Sequence, residues 1–209
     1  MFQDREEAGK LLAEQLISFK GQKDVIVLGI TRGGVVAAKA VAKILKVPLD
    51  ILVVKKIGSP TNPELAIGAI GPKKNVFWDL ILIKKLNLNN YQIFAIKSQK
   101  EKEQQKLEEK LRLGKKPLEL NNKTVILVDD GIATGATAHV AQKYLRSQKV
   151  KLIILAVPVI AEETLNNIKI YFDRVVALEV PREFHAVGQF FKYFPQVEDE
   201  EVITILNRR

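Results

Sequence analysis

Short apolar runs recur along the chain and are separated by segments in which apolar residues follow a helical spacing. The first run, residues 25–30, has no charge and is rich in β-branched residues, which is typical of a strand buried on both faces. Further strands are predicted at residues 49–54, 124–128, 152–157 and 174–180, and helices at residues 2–19, at 35–45, in a segment ending near Arg146, and at 162–168. This alternation predicts an α/β fold, an open, mainly parallel sheet flanked by helices.

Two segments depart from the alternation. Residues 55–72 are interrupted by glycines and prolines, which predicts a long loop with a short strand around residues 65–70. Long loops in compact domains often cover a site, so residues 57–69 are interpreted as a lid. Residues 89–113 carry opposite charges one helical turn apart, and we expect a solvated helix there.

Length and composition narrow the class of protein. A chain of 209 residues suggests one domain, residues 1–209. Cysteine is absent, which excludes disulfides and thiolate metal sites and fits a reducing compartment. The longest uncharged apolar stretch, residues 152–161, is half of the ~20 residues that a membrane span needs. We therefore expect a cytoplasmic protein without a membrane partner.

The net charge of +9 favours anionic partners, either phosphorylated small molecules or nucleic acid. The lysines occur as scattered pairs and no long basic arm is present, so nucleic acid is the less favoured partner. The two histidines, His139 and His185, lie far apart in sequence, and both are expected to be structural or loop residues.

The residues that could carry chemistry lie between the predicted strand at residues 124–128 and the helix that follows it. Asp129 and Asp130 end an apolar strand, and the next seven residues form a turn of mostly small residues before a helix: Gly131, Ile132, Ala133, Thr134, Gly135, Ala136 and Thr137. Backbone N–H groups in such a turn and at a helix start can bind a phosphate. Carboxylates would repel phosphate and suit hydroxyl donors, such as the diol of a ribose. A diol-binding pair beside a phosphate cradle indicates a 5-phosphoribosyl group.

Two other phosphate motifs are excluded. No lysine follows the second glycine, as a Walker A loop requires, and the spacing is not that of a G-x-G-x-x-G dinucleotide turn. An ordinary tight turn would explain the glycines, but it would not explain two acids at the end of an apolar strand.

The segment Val-Asp-Asp-Gly-Ile-Ala-Thr-Gly-Ala-Thr, residues 128–137, resembles the phosphoribosyl pyrophosphate motif of type I phosphoribosyltransferases. The resemblance implies that Asp129 and Asp130 hold the ribose hydroxyls and that residues 131–137 bind the 5-phosphate. It also implies Mg²⁺ as cofactor, which the two aspartates would reach indirectly, through ribose hydroxyls or water.

A second segment, Gly-Ile-Thr-Arg-Gly-Gly at residues 29–34, resembles the diphosphate loop of the same family, which often contains a non-proline cis peptide. This implies diphosphate binding by Thr31, Arg32 and Gly33, together with Lys56 at the end of the second strand. Residues 56–69 resemble the K-I-G-x-P-x-N-P-E-L-A-I-G-A loop of uncharacterised family members. Arg32, Lys56 and Glu64 are the catalytic candidates, with Glu64 reaching the metal or the acceptor.

Residues 179–188 resemble the stretch that leads into the base-binding part of the hypoxanthine-guanine enzymes, which implies a hood over the acceptor built mainly from residues 181–200. Phe184 and Val187 are candidate acceptor contacts, with core packing as the alternative. The hypoxanthine-guanine enzymes have an aspartate in the phosphate loop where this chain has Ala133, and a second in the hood near the position of Lys192. Both differences argue against a 6-oxopurine acceptor.

The expected activity is transfer of the 5-phosphoribosyl group from phosphoribosyl pyrophosphate to a small-molecule acceptor, with release of diphosphate. A homodimer is compatible with the resemblance. The alternative is a non-catalytic regulator that senses phosphoribosyl pyrophosphate and binds RNA. An inactive subunit of a complex is a third, less favoured hypothesis.

Overall fold

The computed structural model describes residues 1–63 and 65–207. The strands are β1 (Val25–Ile30), β2 (Leu49–Leu52), β3 (Lys55–Gly58), β4 (Ala66–Ile70), β5 (Val76–Trp78), β6 (Thr124–Val128), β7 (Leu152–Val159) and β8 (Arg174–Glu179). The α-helices are α1 (Arg5–Gln15), α2 (Gly33–Leu45), α3 (Leu80–Lys85), α4 (Asn90–Arg112), α5 (Ala136–Ser147), α6 (Glu162–Ile168) and α7 (Asp199–Asn207). Short 3₁₀ turns complete the described chain.

Five strands form the central sheet in the order β2-β1-β6-β7-β8, and each neighbouring pair is parallel. The sheet and its flanking helices confirm the predicted fold class. β1 and β6 are buried along their whole length, because helices cover both faces. Two apolar clusters hold the layers together. Leu12 of α1 and Ala38 of α2 pack on one face, and Val140 and Leu145 of α5 pack on the other.

The segment after β2 corrects the predicted loop. Residues 55–58 form strand β3, which pairs antiparallel with β4, and β4 pairs with β5. The short strand expected around residues 65–70 is present as β4. Ile57 and Ile67 are buried in a small core of their own, and this burial outweighs the breaking tendency of the nearby prolines. Strand β5 and helix α3 were not predicted.

The charged helix α4 is only partly solvated, contrary to expectation. Its inner side buries Gln104, Leu111 and Arg112, and Arg112 donates to buried Asp50 of β2 over 3.0 Å. Helix α7, which the sequence patterns did not predict, adds Val202 and Leu206 to the same cluster. Together α4 and α7 cover the β2 edge of the sheet.

Among the described residues, no helix combines the length and apolar character needed to cross a bilayer.

Candidate functional site

A cavity of about 710 Å³ opens at the carboxyl edge of the central sheet. The loops after β1 and β6 and strand β3 form its floor, and residues 186–188 and 194–197 form the opposite wall. Parallel strands bring their carboxyl ends to one edge, where ligands of open α/β sheets bind. The three motifs singled out in the sequence therefore meet in one place, through Thr31, Arg32, Gly33, Lys56, residues 129–135 and Thr137.

The two aspartates occupy different environments. Asp129 is only 9% exposed, and its Oδ1 accepts the backbone N–H of Asp130 over 2.9 Å. Burial, and then the neighbouring charge of Asp130, raise the pKa of the Asp129 carboxyl well above its usual range. Asp130 instead forms an ion pair with Arg5 of α1, whose Nε lies 2.6 Å from its Oδ2. Arg5 was not a candidate from the sequence, since nothing local links residues 125 positions apart.

The turn of residues 131–137, called the phosphate turn below, is anchored by the sheet at Ile132. The Ile132 N–H donates to the Val159 carbonyl over 2.9 Å, and the Ile132 carbonyl accepts from Ala161. This corrects one member of the predicted cradle, because the Ile132 amide is already engaged and its side chain lies in the core. Ile132 positions the turn and offers no N–H to an anion.

The rest of the turn is free to bind an anion. Among the hydrogen bonds of the described residues, none is donated by the backbone N–H groups of residues 133–137. Gly135 has a φ of 78°, a left-handed conformation that favours glycine, and it caps the start of α5. The Thr164 hydroxyl of α6 donates to the Ala133 carbonyl. The result is a fixed set of N–H groups at a helix N-terminus. Ala136 contributes only backbone, since its side chain is buried.

The loop after β1 lines the same cavity as this turn. The peptide bond between Thr31 and Arg32 is cis, as the resemblance implied. The Thr31 hydroxyl oxygen is buried without a hydrogen-bond partner in the described part of the chain. Buried polar groups are normally satisfied, so this hydroxyl fits a ligand oxygen in the cavity.

Arg32 is held at its Nε by Asp199 of α7 over 2.7 Å, and Asp199 also accepts from Lys110 over 2.8 Å. Burial by itself would raise the pKa of Asp199, but the hydrogen bond from Lys110 and the charge of Arg32 lower it. Asp199 is therefore a firmly ionised partner. Its role was missed in the sequence, because α7 was not predicted.

The two adjacent lysines, Lys55 and Lys56, have different environments. Lys55 pairs with Glu103 of α4 over 3.0 Å. Although burial acts to raise the pKa of Glu103, hydrogen bonds from Lys100 and Lys55 hold it at about 2. Lys56 is exposed, lines the cavity, and its charge acts on Asp129. Of the two, Lys56 is the one available to an anion. Glu64, the third catalytic candidate, lies outside the described residues.

The hood places its two candidates differently. Val187 lines the cavity, whereas the ring of Phe184 packs on Phe190 at a centroid distance of 5.3 Å and lies outside the cavity lining. Phe194 lines the cavity where Phe184 was expected. Both are aromatic residues of one irregular segment, and local sequence offers no signal for which one turns inward.

His139 has a packing role. Its ring stacks on Phe77 at 4.5 Å and meets the edge of Tyr171 at 4.6 Å. Burial lowers the pKa of His139. This fits the structural role expected from the sequence.

A parallel sheet that carries an acidic pair, an open helix N-terminus and the basic residues Arg32 and Lys56 at one edge defines an α/β domain with an anion-binding edge. Residues 2–191 match the family described as the phosphoribosyl transferase domain. The chain belongs to that family.

Relatives with known sequences or structures support this family assignment. A Mycobacterium tuberculosis protein named "Putative phosphoribosyl transferase" is 40% identical over 208 residues, in each of two strains. All of the present chain is covered but only 47% of that protein, so the chain spans about half the length of the curated relatives it matches. The crystal structure of TT1426 from Thermus thermophilus is 35% identical with a TM-score of 0.82, covering 100% of this chain and 98% of that one.

More distant structures share the fold alone. A purine phosphoribosyltransferase from Pyrococcus horikoshii is 20% identical with a TM-score of 0.50, and covers 93% of this chain and 92% of its own.

Proposed function

We propose that the protein transfers the 5-phosphoribosyl group of phosphoribosyl pyrophosphate to a small-molecule acceptor and releases diphosphate. The observation that carries this proposal is the placement of buried Asp129 and ion-paired Asp130 beside the free N–H groups of residues 133–137. An acidic pair selects hydroxyl donors, and the helix N-terminus selects an anion. A ribose 5-phosphate satisfies both at once.

The loop after β1 supplies the complementary half of the substrate site. The unpaired Thr31 hydroxyl, Arg32 and Lys56 line the same cavity as the aspartates, where they suit the diphosphate. During transfer the bond between C1 and the diphosphate oxygen breaks, and its electron pair leaves with diphosphate. The acceptor nucleophile, a ring nitrogen that releases its proton to solvent, forms the new bond to C1. The transition state resembles an oxocarbenium ion, so the protein acts through positioning and charge compensation.

Magnesium fits this site only together with the substrate. Among the described residues, no cluster of three or more His, Cys, Asp or Glu side chains could hold a metal ion. Mg²⁺ usually binds through few carboxylates plus substrate phosphates, and Asp129 and Asp130 would reach it through ribose hydroxyls or water. When bound, the ion offsets negative charge on the departing diphosphate.

We further propose that the acceptor is a nucleobase or similar ring other than a 6-oxopurine. At the loop position where the hypoxanthine-guanine enzymes carry an acid stands Ala133, whose carbonyl accepts from Thr164. Lys192 is exposed, and its backbone N–H donates to Phe2 over 2.8 Å. Neither position supplies an acid to the cavity wall.

Calorimetry with phosphoribosyl pyrophosphate and Mg²⁺ tests the binding half of the proposal. The parent should bind, and the double variant D129A/D130A should lose most of the affinity because the ribose hydroxyls lose their acceptors. D24A, which removes a half-exposed aspartate just before the amino end of β1, is the control and should bind as the parent does. Equal affinity of the double variant and the parent would contradict the assignment.

A screen of acceptors that monitors diphosphate release tests the transfer half. Release with adenine, orotate or uracil as acceptor supports the proposal and names the substrate. Release with xanthine, which is itself a 6-oxopurine, would support the transfer but contradict the exclusion of 6-oxopurines. Absence of release with every acceptor, together with RNA binding that weakens steeply with salt, would replace the enzyme by the regulator.

A further inference from the structure

Arg5 is a buried charge in the wall of the cavity, and the proposed function leaves it without a role. It is the first residue of α1, is 8% exposed, and lies among the residues that line the cavity. An arginine is rarely buried to this extent unless its charge is paired. Its position at the amino end of the chain gives no hint, in sequence, of a place in the site.

The guanidinium of Arg5 joins two segments that must cooperate in the site. Its Nε donates to Asp130 Oδ2 over 2.6 Å, and its Nη1 donates to the Pro195 carbonyl over 2.7 Å. The ring of Phe194 lies beneath it, 3.6 Å from the guanidinium carbon. One side chain therefore links the ribose-binding acid to the wall formed by residues 194–197. Planar, multiply bonded contacts of this kind are specific to arginine.

The diphosphate loop closes on the same pair. A Cβ added to Gly33 would lie 1.8 Å from Asp130 Oδ2 and 2.9 Å from Arg5 Nε. Glycine at this position is what allows the loop to approach the ion pair. The acid, the hood and the diphosphate loop thus converge on one contact.

The segment that carries Arg5 is itself fixed to the hood. The Phe2 N–H donates to the Phe190 carbonyl over 2.7 Å, and the Tyr193 N–H donates to the Gln3 carbonyl over 2.9 Å. Asp4 caps α1 by accepting the Glu7 N–H over 2.8 Å. Arg5 consequently reaches Asp130 from a rigid support.

We propose that Arg5 is a positioning residue for phosphoribosyl pyrophosphate, acting through Asp130. By engaging Oδ2 it fixes the rotation of the carboxylate and leaves Oδ1 to the ribose, while it holds residues 194–195 over the bound sugar. This proposal rests on the proposed function, since it presupposes that Asp130 binds the ribose.

A double-mutant cycle tests it, with affinity for phosphoribosyl pyrophosphate and Mg²⁺ measured by calorimetry. R5Q and D130N should each weaken binding by about 10- to 100-fold, as expected for loss of precise positioning. The double variant should bind no more weakly than the more affected of the two single variants, because both changes remove the same contact. R5K, which keeps the charge without the planar donors, should lie between R5Q and the parent.

Two controls separate positioning from a loss of structure. R112K alters another buried arginine, paired with Asp50 far from the cavity, and should lower thermal stability without changing this affinity. Inorganic phosphate should still bind R5Q, because the turn of residues 133–137 does not contact Arg5.

Three outcomes would overturn the proposal: R5Q binding within about twofold of the parent, losses of the single variants that multiply in the double variant, or loss of phosphate binding along with the sugar. Failure of the parent itself to bind phosphoribosyl pyrophosphate would refute the proposed function instead.

Discussion

At the scale of single residues, the site is built at a cost to stability. Asp129 is buried beside another carboxylate, and its raised pKa shows that the folded protein disfavours its charged form. Functional sites often retain such unfavourable groups because the ligand needs them. The loss of stability that comes from burying the Asp129 carboxylate should be visible in the pH dependence of unfolding.

The variant Asp129→Asn should therefore be more stable than the parent, and the difference in stability should grow as the pH rises. A folded-state pKa raised above the unfolded value means that the parent loses stability as pH rises from the ordinary aspartate range through the raised pKa. The variant lacks this loss, so its advantage should grow by about 1.4 kcal/mol per pH unit in that window and then level off. Thermal unfolding between pH 3 and 9 measures this difference, with Asp24→Asn, at a half-exposed position, as the control for a lost carboxylate. Parallel curves for Asp129→Asn and the parent would contradict the burial argument.

At the scale of elements, the phosphate turn depends on neighbours distant in sequence. Strand β7 fixes it at Ile132, and α6 fixes it at Ala133 through the Thr164 hydroxyl. These hydrogen bonds fix the turn within the fold, so its N–H groups keep their direction without a ligand.

Thr164→Val should loosen this turn. The change keeps the shape of the side chain and leaves the Ala133 carbonyl without its donor, which costs about 1–3 kcal/mol when the group is buried. We expect a lower Tm and up to about tenfold weaker binding of phosphoribosyl pyrophosphate, since tenfold corresponds to about 1.4 kcal/mol. Thr204→Val is the matched control, because the exposed Thr204 makes a similar hydroxyl-to-carbonyl bond within α7. Identical affinities for both variants would show that Thr164 has no part in shaping the turn.

The hairpin of β3 and β4 sets the limits of the lid hypothesis. Its base is anchored by buried Ile57 and Ile67, so any closure over the cavity should involve the tip, the described residues between the two strands, 59–63 and 65. Hydrogen exchange across residues 57–69 should slow at the tip when phosphoribosyl pyrophosphate, Mg²⁺ and acceptor are bound, and change little at the base. Equal protection with and without ligands would make this segment a static part of the scaffold.

At the scale of the whole molecule, a buried ion pair ties the edge of the sheet to its covering helix. Asp50 is 2% exposed and accepts from Arg112 Nη1 over 3.0 Å and from the Leu118 N–H over 2.8 Å. Arg112 also donates to the Ile51 carbonyl. This network lies outside the cavity and serves the fold.

Arg112→Ala should destabilise the protein without altering its ligand affinity. Removing one partner of a buried pair costs about 3–5 kcal/mol, which for a chain of this size lowers the Tm by roughly 6–20 °C. Arg146→Ala, which breaks a half-exposed pair with Asp173, should cost at most about 1 kcal/mol. Calorimetric melting compares the two, and equal losses would refute a special role for the buried network.

The sequence by itself determined the features that local patterns encode. The strands of the central sheet follow from their apolar runs, and the acidic pair and the small-residue turn follow from residues adjacent in the chain. Parallel topology then placed those motifs at one edge, because parallel strands end on the same side. One strand of the hairpin, β4, also follows from local pattern, as the strand predicted around residues 65–70.

Only the tertiary structure decided which distant groups complete the site. Arg5 meets Asp130, and Asp199 meets Arg32, across 125 and 167 positions, and no periodicity records such pairings. Phe194 rather than Phe184 faces the cavity, because the N-terminal segment pairs with residues 190–193 and fixes how the hood turns. β3 forms because burial of Ile57 outweighs local propensity. These contacts are set by packing between elements far apart in sequence, so they exist only once the whole chain is folded.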